Sequence, residues 1–255
     1  MKKSLLKVRD LHVAYGGLEV VQGVSFSVQS GEVFGLLGPN GAGKTTTLGV
    51  IERLIEPTSG TVLINDIDVQ ADPNRTRQFL GVQLQATGFQ PELTASEIVQ
   101  LYAGLYGQPS SKEDAVKLLE TVSLGSEGNK RMSELSGGQR QRASLLLATL
   151  HSPLVVLLDE PTAGLDPQSR RQLWSRVEAL RTQGKAIVLT THSMEEAEAI
   201  CDRVAIINHG TIITEDTPQG LIHKHSKDPR VRAVAHGRST LEDVFIGLTG
   251  QEVRD

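Results

Sequence analysis

The chain has 255 residues, 38% hydrophobic and 22% charged, with a formal net charge of −4. That length supports one large domain, or a core with an appendage, and buries enough apolar surface to need neither disulfides nor a structural metal. The single cysteine, Cys201, excludes an intrachain disulfide and suits a reducing compartment, while the mild acidity argues against a dedicated nucleic-acid binder.

The longest apolar runs, such as 154–158, fall far short of a bilayer. Met1-Lys2-Lys3 opens like a signal peptide, but Lys7, Arg9 and Asp10 interrupt any apolar core it would need. The chain is therefore expected to stay inside the cell, with any membrane span carried by another protein.

From the start, alternation of Leu6, Val8, Leu11 and Val13 predicts a strand over residues 5–15, paired antiparallel with a second over 20–28. Tyr15, at the end of the first, is either a stacking surface for a nucleobase or a strand-end tyrosine with a wet hydroxyl. Residues 32–37 read as a short buried strand and 46–55 as a helix. Between them lies Gly38-Pro39-Asn40-Gly41-Ala42-Gly43-Lys44-Thr45-Thr46, which fits the phosphate-binding pattern G-x-x-x-x-G-K-[ST] in its required strand–loop–helix setting. Its glycines let backbone N–H groups converge on one anion, the helix start adds free donors, Lys44 adds a full positive charge, and the Thr45 hydroxyl suits Mg²⁺.

After a turn at 56–60 come a strand at 61–66, a short polar helix at 72–77 and a strand at 80–85. The texture then becomes helical over 86–150. A helix through Tyr106 opens on the capping box Thr94–Glu97, a second covers 111–122, and a third, 140–150, follows Ser136-Gly137-Gly138-Gln139. Sheet texture returns with the continuously apolar 154–158, which reads as a strand buried on both faces, ending in Asp159-Glu160-Pro161. A helix over 168–182, a buried strand over 186–191 ending at His192, a helix over 194–201, and strands at 203–208 and 211–214 complete the pattern.

The phosphate loop, Asp159-Glu160 and His192 all follow strands, and in an open α/β sheet such strand ends share one crevice. Asp159 suits a Mg²⁺-holding carboxylate, and Glu160 a base for the attacking water. Leu135-Ser136-Gly137-Gly138-Gln139 then resembles the signature of ATP-binding cassette (ABC) ATPases. The remaining motifs match in that family's order over residues 5–218: Tyr15 as the aromatic A-loop, Gly38 to Thr45 as the P-loop, Gln85 as the Q-loop, residues 154–159 as Walker B, Glu160 as the catalytic glutamate, Asp166 in the D-loop and His192 as the switch histidine.

The resemblance implies a RecA-like α/β P-loop core with an antiparallel β lobe and an α-helical lobe at about 86–150. Residues 1–218 would form the nucleotide-binding domain, and 219–255 a short C-terminal extension ending in a helix. It further implies ATP with Mg²⁺ held by Thr45, Gln85 and Asp159. A head-to-tail pair, with itself or a related ATPase subunit, would place ATP between one P-loop and the other chain's Ser136, Gly137, Gly138 and Gln139. One cassette and a compact helical lobe resemble transport ATPases rather than ribosome- or DNA-associated members, so no nucleic-acid partner is expected.

The tail, Ser239-Thr240-Leu241-Glu242-Asp243-Val244-Phe245, resembles the closing segment of ABC-2-type drug-exporter ATPases. That implies a subunit peripheral on the inner face of the cell membrane, serving a separate multi-span subunit. In the residues themselves, Ser239 and Glu242 suit a capping box ahead of the stripe Leu241, Val244, Phe245 and Leu248. The apolar set Phe89, Pro91, Leu93, Leu101, Tyr102 and Tyr106 either packs within its own lobe or borders a groove for a helix of the membrane partner.

Overall fold

The computed structural model describes residues 3–83 and 89–250. In chain order its elements are β1 (Ser4–Tyr15), β2 (Leu18–Gln29), β3 (Glu32–Leu37), α1 (Lys44–Ile51), β4 (Ser59–Ile64), β5 (Ile67–Asp68), α2 (Pro73–Arg77) and β6 (Leu80–Gln83). Next come α3 (Ala95–Leu105), α4 (Lys112–Glu120) and α5 (Gly137–Thr149), then β7 (Val155–Asp159), α6 (Pro167–Thr182), β8 (Ala186–Thr191), α7 (Met194–Ile200), β9 (Arg203–Asn208), β10 (Thr211–Asp216), α8 (Pro218–His225), α9 (Pro229–Val234) and α10 (Leu241–Thr249).

The continuously apolar strands lie in the middle of a sheet ordered β10-β9-β3-β8-β7-β6, where both faces are covered. In it β3, β8, β7 and β6 run parallel, β9 joins β3 in parallel, and β10 closes the edge antiparallel. Alternate residues serve different layers. Phe34 and Leu36 of β3 face the second sheet, the antiparallel β2-β1-β4-β5, together with Leu6, Val8, Val24 and Ile64. Phe26 of that sheet stacks on Phe34 with ring centroids 4.9 Å apart. Val33 and Leu37 face the other way, onto α6 and α7. Helices α3, α4 and α5 carry their own core, with Ile98, Leu119, Leu124 and Leu147 at its centre.

Several expected boundaries move. The helix after the phosphate loop occupies Lys44–Ile51 rather than 46–55, because Arg53 turns the chain at φ 60° and the Gly49 carbonyl accepts from both Leu54 and Ile55. The helix after the Ser-Gly-Gly-Gln stretch starts at Gly137, not Arg140. Ser136 and Gln139 form a capping box that sets the start: the Gln139 N–H donates to Ser136 Oγ at 3.2 Å and the Ser136 N–H to Gln139 Oε1 at 2.8 Å.

The C-terminal capping box is formed by Thr240 and Asp243 rather than Ser239 and Glu242, at 2.8 and 3.2 Å. One residue of register decides this. With Thr240 as the cap, Leu241 enters the first turn fully buried while Glu242 points to solvent.

The sequence reading missed α8 and α9, which begin on Thr217-Pro218 and Asp228-Pro229, a capping side chain followed by proline at the first helical position. They and α10 do not hang from the core. Leu221, Val231, Leu241, Val244 and Phe245 are buried in the same cluster as Val33, Leu37 and Leu189. Gly247 is required there, since a Cβ would come within 2.8 Å of the Val231 backbone. Phe245→Ala should therefore lower the stability of the whole domain by about 3–5 kcal/mol, in one transition rather than by release of the tail. Urea unfolding followed by the single tryptophan, Trp174, checks this; an unchanged midpoint would make the tail independent of the core.

Candidate functional site

The loop from β3 to α1 is shaped by glycines that nothing else can replace. A Cβ on Gly38 would sit 2.5 Å from the Ile207 carbonyl oxygen, and Gly41 and Gly43 take left-handed φ values of 78° and 104°. Gly43 caps α1 without a side-chain hydrogen bond, and the first turn holds no acidic residue. Its initial N–H groups and partial positive charge are thus directed at whatever lies before the helix. Lys44 is buried, and its ammonium donates to the carbonyls of Gly38 at 2.6 Å and Pro39 at 3.1 Å. Burial pulls its pKa down, while Glu160 and Asp159 act to raise it, so the cation and both carboxylates share one site.

Asn40, Gly41 and Thr45 are exposed along the loop, Pro39 and Thr46 are half-buried, and Ala42 is buried, its carbonyl accepting from the Gly210 N–H at 3.0 Å. These residues fit a nucleotide's phosphates: uncapped helix, left-handed glycines and a lysine drawn over the loop. Tyr15 stands at the tip of β1, paired with Leu18 and 51% exposed, so its ring has an open face.

Strands β7 and β8 are neighbours, which sets the acidic side. Asp159 ends β7 nearly buried, and its Oδ1 accepts from the Thr190 hydroxyl at 2.5 Å. Glu160 follows at φ 46°, a left-handed conformation that costs a non-glycine residue of order 1 kcal/mol and turns it off the strand. Its N–H is held by the Thr190 carbonyl at 3.1 Å and hydroxyl at 3.0 Å. Immediately after β8, His192 Nδ1 lies 3.5 Å from Glu160 Oε1.

Sequence reasoning missed Thr190 and also Glu52, at the C-terminal cap of α1. Burial, with Asp159 adding to it, raises the Glu52 carboxyl from 4.5 to about 7. The signal available was a lone acid closing an apolar helix.

The Ser136 stretch is held elsewhere. Ser136 Oγ is occupied as an acceptor by the cap but keeps its own O–H to donate. Gly138 packs on α6, where a Cβ would lie 2.4 Å from Ser169 Oγ. Ser169 in turn donates to Asp166, the N-cap of α6, at 2.6 Å, and this holds the Asp166 carboxyl below its usual range. Gly137 is exposed, and a Cβ there would meet nothing within 4 Å among the described residues. Among the described residues, no hydrogen bond or ion pair joins residues 136–139 to the phosphate loop.

Gln85 lies outside the described residues. Just before it, Gln83 is tied to α5 through the Gln141 carbonyl at 3.2 Å. Phe89 meets Tyr102 edge-on at 6.5 Å and, with Leu93, packs against its own lobe. The outward apolar patch is instead Leu101, Leu105 and Tyr106, and Tyr106 stacks on His151 with ring centroids 4.0 Å apart. Among the described residues, no helix is long and apolar enough to cross a membrane.

A glycine-shaped phosphate loop at the carboxyl edge of a parallel sheet, with two carboxylates at the end of β7, one strand removed from β3, defines a nucleoside-triphosphate hydrolase of the P-loop class. Comparison with known proteins narrows the class. A model of the ABC transporter family matches residues 21–163. The Nod factor export ATP-binding protein I of Burkholderia lata is 36% identical over 304 aligned positions, covering all of both chains. The protein of that name from Rhizobium etli is 42% identical over 224 positions, covering 87% of this chain and 71% of the relative.

Among solved structures, an ATP-binding subunit of an ABC transporter superposes with a TM-score of 0.83 at 28% identity, covering 96% of this chain and 99% of the other. An ABC transporter's ATP-binding cassette in its ADP conformation superposes at 0.80 with 24% identity, covering 92% and 99%, a likeness of fold. The chain belongs to the ATP-binding subunits of the ABC transporter family. It binds ATP and is an ATPase, and such subunits power transport together with a separate membrane subunit.

The Glu52 environment has a testable sign. Its folded pKa lies above the unfolded value, so its contribution to stability is fully present below about pH 4.5 and is lost as pH rises through about 7. Glu52→Gln should therefore raise the Tm of the nucleotide-free protein at pH 8 and leave it unchanged at pH 4.5. Equal shifts at both values would place Glu52 in water.

Proposed function

We propose that this chain is the ATP-hydrolysing subunit of an ABC-2-type exporter, driven by closure and opening of a head-to-tail ATPase pair. The observation that carries the catalytic part is Glu160, held off its strand at φ 46° with His192 3.5 Å away and Lys44 and Asp159 in the same field. In this reading the phosphate-loop N–H groups and Lys44 hold the β- and γ-phosphates, and Tyr15 stacks on the base. Thr45, Asp159 and Gln85 would hold Mg²⁺, which would supply positive charge to the phosphates. Glu160 orients a water and takes its proton as the water oxygen attacks the γ-phosphorus. The bond to the β-phosphate oxygen breaks, leaving ADP and phosphate, and His192 steadies Glu160 and the γ-phosphate.

The pair is supported by the Ser136–Gly137 surface. A glycine that no described residue of its own chain crowds, beside a hydroxyl at the start of α5, suits close approach of a partner's γ-phosphate. ATP then joins the two chains and hydrolysis releases them. Export is supported by the relatives, which are export ATP-binding proteins, and by the closing helix α10. The membrane subunit would handle a cargo of the drug, antibiotic or lipid class and dock at the inner face of the membrane. Leu101, Leu105 and Tyr106 offer the outward contact, while Phe89 mainly braces its own lobe.

Glu160→Gln should keep ATP affinity and lower the rate of phosphate release by about 10²-fold or more, whereas Lys44→Ala should lose affinity itself. With ATP, Glu160→Gln should also run as a dimer in light scattering. Turnover at the wild-type rate would remove Glu160 from the role of base.

A further inference from the structure

Below the catalytic edge lies a second carboxylate for which the hydrolysis scheme has no use. Glu196, in α7, is fully buried. Its Oε1 accepts from Trp174 Nε1 of α6 at 3.2 Å. Burial raises its carboxyl pKa, the Thr191 and Thr162 hydroxyls, the Trp174 N–H and the Arg170 charge act against that rise, and Oε2 has no hydrogen-bond partner among the described residues. Its own N–H donates to Ser193 Oγ at 3.3 Å, and the Ser193 N–H donates to Thr191 Oγ1 at 2.9 Å.

The positions of these partners are informative. Thr162 is two residues past Glu160, and Thr191 immediately precedes His192. Trp174 belongs to α6, whose first turn carries Asp166 and packs through Ser169 on Gly138. A buried carboxylate is costly, and an apolar side chain would pack there at lower cost.

We propose that Glu196 is a positioning residue for ATP hydrolysis, a buried bridge that ties the turn after Glu160, the turn carrying His192 and helix α6 into one unit. The proposal rests on the assignment of Glu160 and His192 made above. The Glu160–His192 spacing of 3.5 Å is set by two separate turns. Glu196 reaches both from below, and Trp174 anchors it to the helix that supports the Ser136 stretch. Small displacements at a reacting centre lower the chemical rate far more than binding, because the phosphate loop that holds the nucleotide sits on β3 and α1.

The test compares Glu196→Ala, Glu196→Gln and Trp174→Phe with wild type in the full chain, measuring kcat and KM for ATP, affinity for a fluorescent ATP analogue, and Tm. Glu196→Ala should lower kcat by about tenfold or more, with KM and analogue affinity within about twofold of wild type. Glu196→Gln, which keeps an acceptor for Trp174, should recover most of the rate. Trp174→Phe, which keeps an aromatic ring but loses the donor and part of the indole's volume, should fall between them, and it carries the test alone if Glu196→Ala does not fold. Wild-type kcat in Glu196→Ala or Trp174→Phe overturns the proposal, as does a parallel fall of kcat, analogue affinity and Tm. Glu160→Gln in the same assay separates the two levels. If it turns over like wild type, the assignment of the base fails first; if it is inactive while Glu196→Ala is not, only the bridge fails.

Discussion

The arrangement depends on a charge balance at one edge of the parallel sheet. Asp159 and Glu160 end β7, Glu52 closes α1 in the same field, and Lys44 answers them from the phosphate loop. Like charges gathered in a partly buried site repel strongly. Thr190 offsets part of this by bonding Asp159 and the Glu160 backbone together. Burial is the main cause of the raised Glu52 pKa, and the Asp159 charge adds to it.

Two packing decisions bring those groups to one edge. The order β3-β8-β7 places the phosphate loop, the His192 turn and the Asp159-Glu160 turn side by side. The alternation within β3 sends Phe34 and Leu36 toward one layer and Val33 and Leu37 toward the other. The antiparallel sheet and the helices α6 to α10 thus grip opposite faces of the strands that aim the chemistry, and α10 is part of the scaffold that holds the site rigid. The helical lobe, with a core of its own, meets this scaffold through α5 and α6, where Gly138 rests on Ser169.

Much of this was legible in the sequence because it is local. Apolar runs at 32–37, 154–158 and 186–191 announced strands buried on both faces, and the phosphate loop, Asp159-Glu160 and His192 lie at the ends of those strands as their spacing implies. Thr94 and Glu97 cap α3 as their spacing predicted. What escaped depended on tertiary surroundings. Nothing near Glu196 in sequence reports that it is drawn out of water, and the one signal at Glu52 is its place closing an apolar helix. The sequence allows Phe89 either to pack within its own lobe or to border a groove, and its contact with Tyr102 shows the packing. Helices α8 and α9 are a different case: Thr217-Pro218 and Asp228-Pro229 were readable starts, hidden by the absence of long apolar stripes after them. The capping box at Thr240 rather than Ser239 shows how one residue of register turns on which neighbour, Leu241, can be buried.

At the centre of the account is a site in which one chain's phosphate loop is completed by the other chain's Ser136 and Gly137. Mixing two differently tagged inactive variants tests it most directly. Lys44→Ala lacks the phosphate-loop cation, and Gly137→Asp sets a negative charge against the partner's γ-phosphate. A mixed pair contains one undamaged composite site, so ATPase activity should reappear on mixing, rise to a maximum near equal proportions, and follow the dimer carrying both tags. Activity equal to the sum of the two variants at every ratio, with the doubly tagged dimer present, would contradict it.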